Sequence, residues 1–460
     1  MRIIALPYSV DSTAGAARVV DRPWFMLLDS CVNRGSAGRY DVLVCDPVAT
    51  LVTVGEVTEI RRGAETKSST EDPFALVAQA VAELGPASSE LPFVGGAVGY
   101  FGYDLGRRIE QLPSLALRDI ELPDMAIGIY DHAVIVDHVA RTAWLVVHPR
   151  ARTDAAVLQA AWSAHAPLTP PVFATSFEVT TSVRPEITFE QYAHAWRCIK
   201  RYIEAGDVYQ VNFAQRFSAA ARGAPWDAYL RLRNVNPAPY SAYLTVPGGT
   251  ILSSSPERFV QVVNDRVETK PIKGTRGRSP DPELDRRYAA ELAQSDKDRA
   301  ENVMIVDLLR NDLGKCCEIG SVEVPRLCAL ESYAKVHHLV STVRGRRAAH
   351  TSELDVLRAC FPGGSITGAP KIRAMEIIED LEPYRRGVYC GAIGYVSCNG
   401  RMDTNIAIRT LVQHRDRLYC WAGGGIVMDS ELELEYEESL TKAAAMLEVF
   451  AHAEIERLDS

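Results

Sequence analysis

Residues 268–278 place a single amine between a proline and two glycines, and this stretch constrains the chain more than any other. The residues before it alternate like a β-strand, but Pro271 lacks a backbone donor and prevents an ordinary central strand. Gly274 and Gly277 then allow a sharp turn or a close approach to a ligand. Lys273 lies between them. A buried lysine on such a turn can act as a nucleophile, whereas a solvated loop lysine is the commoner case for an isolated Lys.

A carboxylate is expected close to this amine. Pro256 breaks a strand immediately before Glu257, and the following residues, 258–272, have the pattern of a β-hairpin with a short turn at Asn264. A hairpin brings its two ends together, so Glu257 and Lys273 are expected to be neighbours. An acid and a nucleophilic amine would form a catalytic pair. A structural salt bridge is the alternative.

Two helices carry paired carboxylates. Asp298 and Glu301 are three residues apart and lie on one helix face, and Glu435 and Glu438 repeat this spacing near the carboxyl end. Lys442 lies four residues after Glu438 on the same face. Magnesium prefers oxygen ligands and often takes one or two carboxylates together with waters and substrate. Each pair alone would more commonly be a solvated helix face.

Residues 207–217 predict a strand with an apolar face and a polar face. Gln210, Asn212 and Arg216 share the polar face. Such a face is most often a solvated sheet surface, but it could also line a polar pocket. The pattern leaves both interpretations open.

Several glycine-rich stretches could bind an anion. Residues 361–371 lead into a helix expected at 370–381, where free N–H groups and the helix dipole favour negative charge. Residues 422–425 offer further backbone amides. Strands are expected at 389–396 and at 405–411, and the latter carries Arg409.

Composition sets the broad class. At 460 residues the chain exceeds the usual size of one hydrophobic core, and we expect an N-terminal region at 1–165, a linker at 166–184 and a catalytic region at 185–455. A net charge of −9 argues against nucleic-acid binding. The first residues lack a long apolar core, no apolar run could span a bilayer, and the ten cysteines include no CxxC pair. These features predict a cytoplasmic protein with reduced thiols.

Seven ordered motifs together resemble the chorismate-utilising enzymes. The motifs are GDVYQVNFAQRF (206–217), SSSPERF (253–259), PIKGTRGR (271–278), DRAENVMIVDLLRNDLG (298–314), CFPGGSITGAPKIRAMEII (360–378), NIAIRT (405–410) and AGGGIVMDSELELEYEESLTKA (422–443). The resemblance covers 188–450. It implies an α/β fold of the α+β type, a large sandwich of two mainly antiparallel sheets flanked by helices.

One position indicates which reaction the resemblance implies. Members that form anthranilate typically read PIAGT, whereas members that form 4-amino-4-deoxychorismate read PIKGT, as this chain does at Lys273. The resemblance therefore implies amination of chorismate on the route to p-aminobenzoate and folate. Formation of anthranilate is the alternative.

The resemblance also implies roles for single residues. Lys273 would attack C2 of the ring while Glu257 protonates the departing 4-hydroxyl. Magnesium would be held chiefly by Glu301 and Glu438, supported by Asp298 and Glu435. Positions that match substrate-binding residues are Gln210, Thr275, His338, Ser365, Gly368, Tyr389, Arg409, Gly423 and Lys442. The amide of Gln210 stands where isochorismate-forming members have a water-activating lysine, which disfavours hydroxylation. Ser365 replaces an expected threonine and keeps the hydroxyl.

Two further ligands are implied. None of the cysteines lies in a GxCxG elbow, so ammonia is expected from a separate glutamine amidotransferase partner. The segment Leu28-Asp29-Ser30 resembles the LLES element that forms part of a tryptophan pocket in feedback-inhibited anthranilate-forming members. Tryptophan binding near Ser30 is therefore a hypothesis. Asp29 departs from this element, which has a glutamate at that position.

Overall fold

The structure, a computed structural model, describes residues 1–31, 38–163, 176–333 and 336–447. The first two of these segments are rich in strands. Their strands are β1 (Arg2–Leu6), β2 (Met26–Asp29), β3 (Tyr40–Val44), β4 (Ala49–Val54), β5 (Val57–Arg62), β6 (Glu65–Ser69), β7 (Gly96–Phe101), β8 (Met125–Tyr130), β9 (His132–Asp137) and β10 (Thr142–Val147). Their helices are α1 (Thr13–Ala16), α2 (Pro73–Leu84), α3 (Ala155–Ser163) and a 3-10 turn at Tyr103–Arg108.

The later segments alternate strands with longer helices. Their strands are β11 (Glu178–Val179), β12 (Arg184–Pro185), β13 (Gln210–Arg222), β14 (Tyr240–Val246), β15 (Gly249–Ser255), β16 (Arg258–Val263), β17 (Arg266–Thr269), β18 (Ile272–Gly277), β19 (Glu323–Ser332), β20 (Val336–Arg346), β21 (Gly368–Ala369), β22 (Ala392–Ser397), β23 (Arg401–Ile406), β24 (Thr410–His414) and β25 (Arg417–Ile426). Their helices are α4 (Phe189–Glu204), α5 (Pro225–Val235), α6 (Pro282–Gln294), α7 (Asp296–Gly314), α8 (Glu353–Cys360), α9 (Lys371–Leu381), α10 (Leu432–Leu447) and a 3-10 turn at Gly364–Ile366.

The strands form two large, mainly antiparallel sheets. The first has the order β1-β10-β9-β3-β2-β14-β15-β24-β25-β13-β11, with β12 and β21 also paired to β13. The second has the order β18-β20-β17-β16-β23-β22-β7-β8-β4-β5-β6, with β19 paired to β20. The sandwich that the sequence resemblance implies is therefore confirmed.

Both sheets combine strands from the two ends of the chain. In the first sheet β2 pairs with β14, and in the second β7 pairs with β22. The expected linker at 166–184 thus separates stretches of sequence that share both sheets. Residues 166–175 of that segment, 164–165 of the expected N-terminal region and 448–455 of the expected catalytic region lie outside the described residues. In the part of the chain that the structure describes, no helix has the length and apolar character needed to cross a membrane.

The core has two parts. One lies between the sheets and contains Met26 and Ile135 from the first sheet together with Val98 and Val260 from the second. The other lies on the far side of the first sheet, where α4, α5, α9 and α10 pack. Tyr192 of α4 is fully buried there. A capping box at Thr188 starts α4, with the Thr188 hydroxyl accepting a hydrogen bond from the N–H of Gln191.

Two predicted strands are wrong in their bounds. The expected strand 405–411 is two strands, β23 in the second sheet and β24 in the first, and Arg409 lies in the crossing between them with φ 50°. The expected strand 389–396 begins only at Ala392. The sequence pattern missed the crossing because residues 405–411 are apolar enough to continue one strand.

Candidate active site

A cavity of about 680 Å³ lies where β18, β20, β25, α7 and α10 meet. Most of the residues that the sequence singles out line this one cavity: Glu257, Lys273, Thr275, Asp298, Glu301, His338, Ser365, Tyr389, Arg409, Gly423, Glu435, Glu438 and Lys442. The structure therefore brings together side chains that are up to 185 residues apart in sequence, from Glu257 to Lys442.

The amine of Lys273 reaches the cavity from a break in β18. The register against β20 shifts between Lys273 and Thr275, and Gly274 has φ +75°. A Cβ at Gly274 would lie 2.9 Å from Cβ of Asp298, so only glycine lets the strand pack this closely on α7. Burial lowers the pKa of Lys273, although Glu301 and Glu257 oppose this by favouring the charged amine.

Glu257 lies between β15 and β16, where Pro256 ends the strand as the sequence predicts. Its side chain is buried, and burial raises its pKa to about 7. The Ser365 hydroxyl donates a hydrogen bond of 2.9 Å to Oε1, and Lys273 lowers the pKa by its charge. The hairpin predicted from the sequence is present as β16 and β17 with the turn at Asn264.

The carboxylates of α7 and α10 face the same cavity. Burial raises the pKa of Glu301, and the charges of Asp298 and Glu435 raise it further. Asp298 forms an ion pair of 3.2 Å with Arg276, and Glu438 forms one of 2.6 Å with Lys442. Among the described residues, no three His, Cys, Asp or Glu side chains are gathered closely enough to hold a metal ion by themselves.

A cationic and polar group faces these carboxylates. Arg409 is half-buried and makes no ion pair with the described residues; its Nη1 donates one long hydrogen bond of 3.4 Å to Oδ1 of Asn236. Burial and the charge of Arg409 lower the pKa of His338 to about 4, so its imidazole is neutral at neutral pH. The Thr275 hydroxyl lies 2.9 Å from Nδ1 of His338. A half-buried guanidinium without a carboxylate partner indicates that the cavity receives an anion.

Two residues expected to bind substrate do not line the cavity. Gly368 pairs through its backbone with Val211, which places it in the first sheet. Gln210 is fully buried and packs against the backbone of Gly425, behind the cavity wall. A Cβ added at Gly425 would lie only 2.6 Å from Nε2 of Gln210. The polar face of β13 is thus buried, and Asn212 rather than Gln210 reaches the cavity.

Arg386 lines the cavity and was missed by the sequence analysis. Its guanidinium donates to both carboxylate oxygens of Glu382, to the carbonyl of Ile366 and to the carbonyl of Asn212. The i,i+4 spacing of Glu382 and Arg386 was the available signal, but it is indistinguishable from a solvated pair.

A separate cavity of about 220 Å³ lies against β2 and β14 and is lined by Ser30. The Ser30 hydroxyl donates a hydrogen bond of 2.6 Å to Asp41, and Asp29 accepts hydrogen bonds from Tyr229 and Arg233. Tyr40 and Tyr240 line the cavity, as do Arg39, Arg258 and Asp403. The cavity therefore combines aromatic rings with both signs of charge, as an amino-acid ligand would need.

Comparison with known proteins gives a consistent result. The profile of the chorismate binding enzyme family matches residues 29–448. The chain is 49% identical to aminodeoxychorismate synthase component 1 of Klebsiella aerogenes, over 97% of this chain and 98% of that protein. It is 47% identical to the protein of that name from Escherichia coli K12, over 94% of each. The solved structure of anthranilate synthase component I from Streptococcus pneumoniae superimposes with a TM-score of 0.79 at 33% identity, covering 90% of this chain and 93% of that one. The chain belongs to the chorismate binding enzyme family.

Proposed function

We propose that the chain is component 1 of an aminodeoxychorismate synthase, which converts chorismate and ammonia into 4-amino-4-deoxychorismate. The product is the precursor of p-aminobenzoate and folate. The observation that carries the proposal is that Lys273 and Glu257 line the same cavity, close enough for each charge to shift the pKa of the other. Burial lowers the pKa of the amine and raises that of the acid to about 7, and both shifts are in the direction that a nucleophilic amine and a proton-donating acid require.

The chemistry proceeds in two balanced steps. The Lys273 amine forms a bond to C2 of the ring, the ring double bonds shift, and the C4–O bond breaks. The departing hydroxyl takes the proton of Glu257 and leaves as water, because hydroxide alone is a poor leaving group. Ammonia then bonds to C4, the double bonds shift back, and the C2–N bond to Lys273 breaks. A proton from the incoming nitrogen returns to the carboxylate of Glu257.

The remaining lining residues bind and orient the substrate. Arg409 supplies a positive charge for a chorismate carboxylate, and neutral His338 and Tyr389 contact the ring. The backbone of Gly423, which lines the cavity, approaches β13 so closely that a Cβ would lie 2.0 Å from the carbonyl oxygen of Phe213, so only glycine fits at this position of the wall. Lys442, which donates to the Gly423 carbonyl, completes this end of the site.

The magnesium site is proposed at the carboxylates of α7 and α10, beside Lys442, which pairs with Glu438. The charge of Glu435 raises the pKa of Glu301, so these two carboxylates lie close enough to repel each other. Glu301 and Glu438 would hold the ion, with Asp298 and Glu435 beside them, and a substrate carboxylate and waters would complete its oxygen ligands. The ion would neutralise the ring carboxylate.

Ammonia is proposed to come from a glutamine amidotransferase partner, since the chain offers no cysteine in a nucleophile elbow. The name component 1, shared by the relatives above, supports a second component. Purified chain alone is expected to use ammonium and not glutamine.

Product identification tests the proposal. The chain is incubated with chorismate, magnesium and ammonium, with and without an added lyase that removes the enolpyruvyl group. We expect 4-amino-4-deoxychorismate, and p-aminobenzoate only with the lyase. Fluorescent anthranilate with pyruvate would instead establish the alternative activity.

Lys273→Ala should abolish most amination, whereas Lys270→Ala, which removes a half-buried amine from the same stretch, should not. Equal rates in the two variants would exclude covalent catalysis.

The cavity beside Ser30 is proposed to bind tryptophan. Its two tyrosine rings suit an indole, and its arginines and aspartates suit a zwitterion. Calorimetry with tryptophan, together with amino-acid analysis of the purified chain, tests this. No heat and no bound amino acid would exclude it.

A further inference from the structure

The amine of Lys273 depends for its direction on a single backbone carbonyl. Among the described residues, its Nζ has one hydrogen-bond partner, the carbonyl oxygen of Ser365 at 3.4 Å, and it forms no ion pair. A neutral amine that donates one N–H to a fixed acceptor turns its lone pair elsewhere, so the position of that oxygen decides where the nucleophile points. Ser365 also donates its hydroxyl to Glu257 and therefore contacts both proposed catalytic side chains.

The side-chain amide of Asn212 bonds to the same carbonyl. Its Nδ2 donates a hydrogen bond of 3.1 Å to the carbonyl oxygen of Ser365. A carbonyl oxygen has two lone pairs, so it can accept from Asn212 and from Lys273 together. Because a carbonyl only accepts, the nitrogen end of the amide must face it, and an ionised aspartate of the same shape could not make this bond.

Asn212 is itself fixed by its backbone. Its N–H donates a hydrogen bond of 2.8 Å to the carbonyl of Thr367, and its own carbonyl accepts one of 2.7 Å from Arg386. Arg386 also donates to the carbonyl of Ile366. Three successive carbonyls of the glycine-rich loop, at residues 365–367, are therefore bonded by Asn212 and Arg386. Asn212 is half-buried and lines the main cavity, so its amide lies at the edge of the space where substrate would bind.

We propose that Asn212 is a positioning residue for the covalent step: it holds the Ser365 carbonyl where that oxygen directs the Lys273 amine at C2 of chorismate. The inference rests on the proposed function. When the amine bonds to C2, the C4–O bond breaks, the hydroxyl leaves as water with the proton of Glu257, and the nitrogen becomes a positively charged secondary ammonium. The same carbonyl then accepts an N–H of that ammonium and stabilises the charge that develops on nitrogen.

Asn212→Leu and Asn212→Asp test this role. Both keep the branched shape of the side chain, and neither leucine nor an ionised aspartate supplies the N–H that bonds to Ser365. Asn399→Leu is the matched control. Asn399 is also half-buried, and its Nδ2 donates to the carbonyls of Ser89 and Leu91 from the turn between β22 and β23, outside the main cavity. Urea unfolding establishes that each variant is folded.

Two measurements separate positioning of the amine from binding of the substrate. The first is kcat and KM for chorismate with ammonium, and the second is formation of the Lys273 adduct without ammonium, counted by mass spectrometry of acid-quenched chain as the mass of chorismate less one water. For both Asn212 variants we expect kcat and the rate of adduct formation to fall roughly 10- to 100-fold. KM should stay near that of the parent. Asn399→Leu should match the parent in both measurements.

Calorimetry adds a readout that does not depend on turnover. In the Lys273→Ala background no adduct forms, so chorismate binding with magnesium is measured alone. Adding Asn212→Leu to this background should leave the Kd for chorismate unchanged, because Asn212 acts on the amine and not on the substrate.

A parent kcat in both Asn212 variants would overturn the positioning role. A raised KM or Kd for chorismate with an unchanged kcat would overturn it as well, since that pattern belongs to a residue that binds substrate equally in the ground and transition states. An equal loss of rate in Asn399→Leu would assign the effect to general destabilisation. A parent chain that makes no 4-amino-4-deoxychorismate from ammonium would overturn the proposed function instead, and the two failures are therefore distinguishable.

Discussion

The hydroxyl of Ser365 donates a 2.9 Å hydrogen bond to the carboxylate of Glu257, which joins the glycine-rich loop to the acid of the site. The same loop residue offers its carbonyl to the amine of Lys273 at 3.4 Å. Ser365 therefore contacts both members of the proposed catalytic pair. Its hydroxyl favours the charged form of Glu257, while burial favours the neutral form and dominates.

Ser365→Ala should move the pH dependence of amination. Glu257 acts as an acid, so the rate falls as pH rises through its pKa of about 7. Loss of the hydroxyl removes a hydrogen bond to the charged form and raises that pKa further. We expect the alkaline limb of kcat/KM to shift upward by about one pH unit. Ser365→Thr keeps the donor and should leave the limb in place, and a downward shift in Ser365→Ala would contradict the role of Ser365.

Glu257→Gln should change how stability depends on pH. The pKa of Glu257 is about 7 in the folded chain and 4.5 in its ordinary state, so the folded state holds the proton more tightly. Stability of the parent therefore falls as pH rises from about 4.5 to about 7. The glutamine variant has no such carboxyl to ionise. Its free energy of unfolding should therefore rise by up to about 3 kcal/mol relative to that of the parent between pH 4 and pH 8.

Urea unfolding at several pH values measures the difference. Glu204→Gln makes the same charge change on an exposed helix surface and serves as the control. A difference between Glu257→Gln and parent that stays constant with pH would show that folding does not raise the pKa of Glu257.

Sequence reasoning predicted that Glu257 and Lys273, the proposed catalytic pair, lie together, because the signals for this are local. Pro256 and Pro271 interrupt strands on either side of a hairpin, and the hairpin itself brings Glu257 and Lys273 into one cavity. The carboxylates of α7 and α10 were found for a similar reason, since i,i+3 spacing fixes a helix face. The meeting of the two helices came from the family resemblance, because nothing in either helix specifies the other.

Features that depend on the packing of distant segments were missed. Arg409 was placed on a strand, although it lies where the chain crosses from one sheet to the other. Arg386 carries only its i,i+4 spacing from Glu382 as a local signal, because its other acceptors at Asn212 and Ile366 come from distant parts of the chain. Gln210 was expected in the site, but the absence of a side chain at Gly425 lets it pack behind the wall.

Glu438→Gln should weaken the response to magnesium. Glu438 is proposed to ligate the ion directly, and an amide oxygen is a weaker ligand without charge. We expect the magnesium concentration for half-maximal amination to rise by roughly 10- to 100-fold. Calorimetric titration of magnesium into the chorismate complex gives a readout that does not depend on turnover.

Glu433→Gln is the control for this substitution, because Glu433 is exposed on the same helix and does not line the cavity. Identical magnesium titrations for Glu433→Gln and Glu438→Gln would exclude Glu438 as a ligand.

Arg386→Met should destabilise the whole chain. Arg386 is 2% exposed, and its four hydrogen bonds connect β13, the glycine-rich loop and the end of α9. Methionine would leave Glu382 buried without its cation, a loss of about 3–5 kcal/mol. Arg286→Met removes an arginine whose side chain is 74% exposed and paired with Glu283, and should change stability by less than about 0.5 kcal/mol. Urea unfolding measures the free energy of unfolding of both variants and of the parent. Similar values for the two variants would mean that Glu382 is protonated in the folded chain and does not need Arg386.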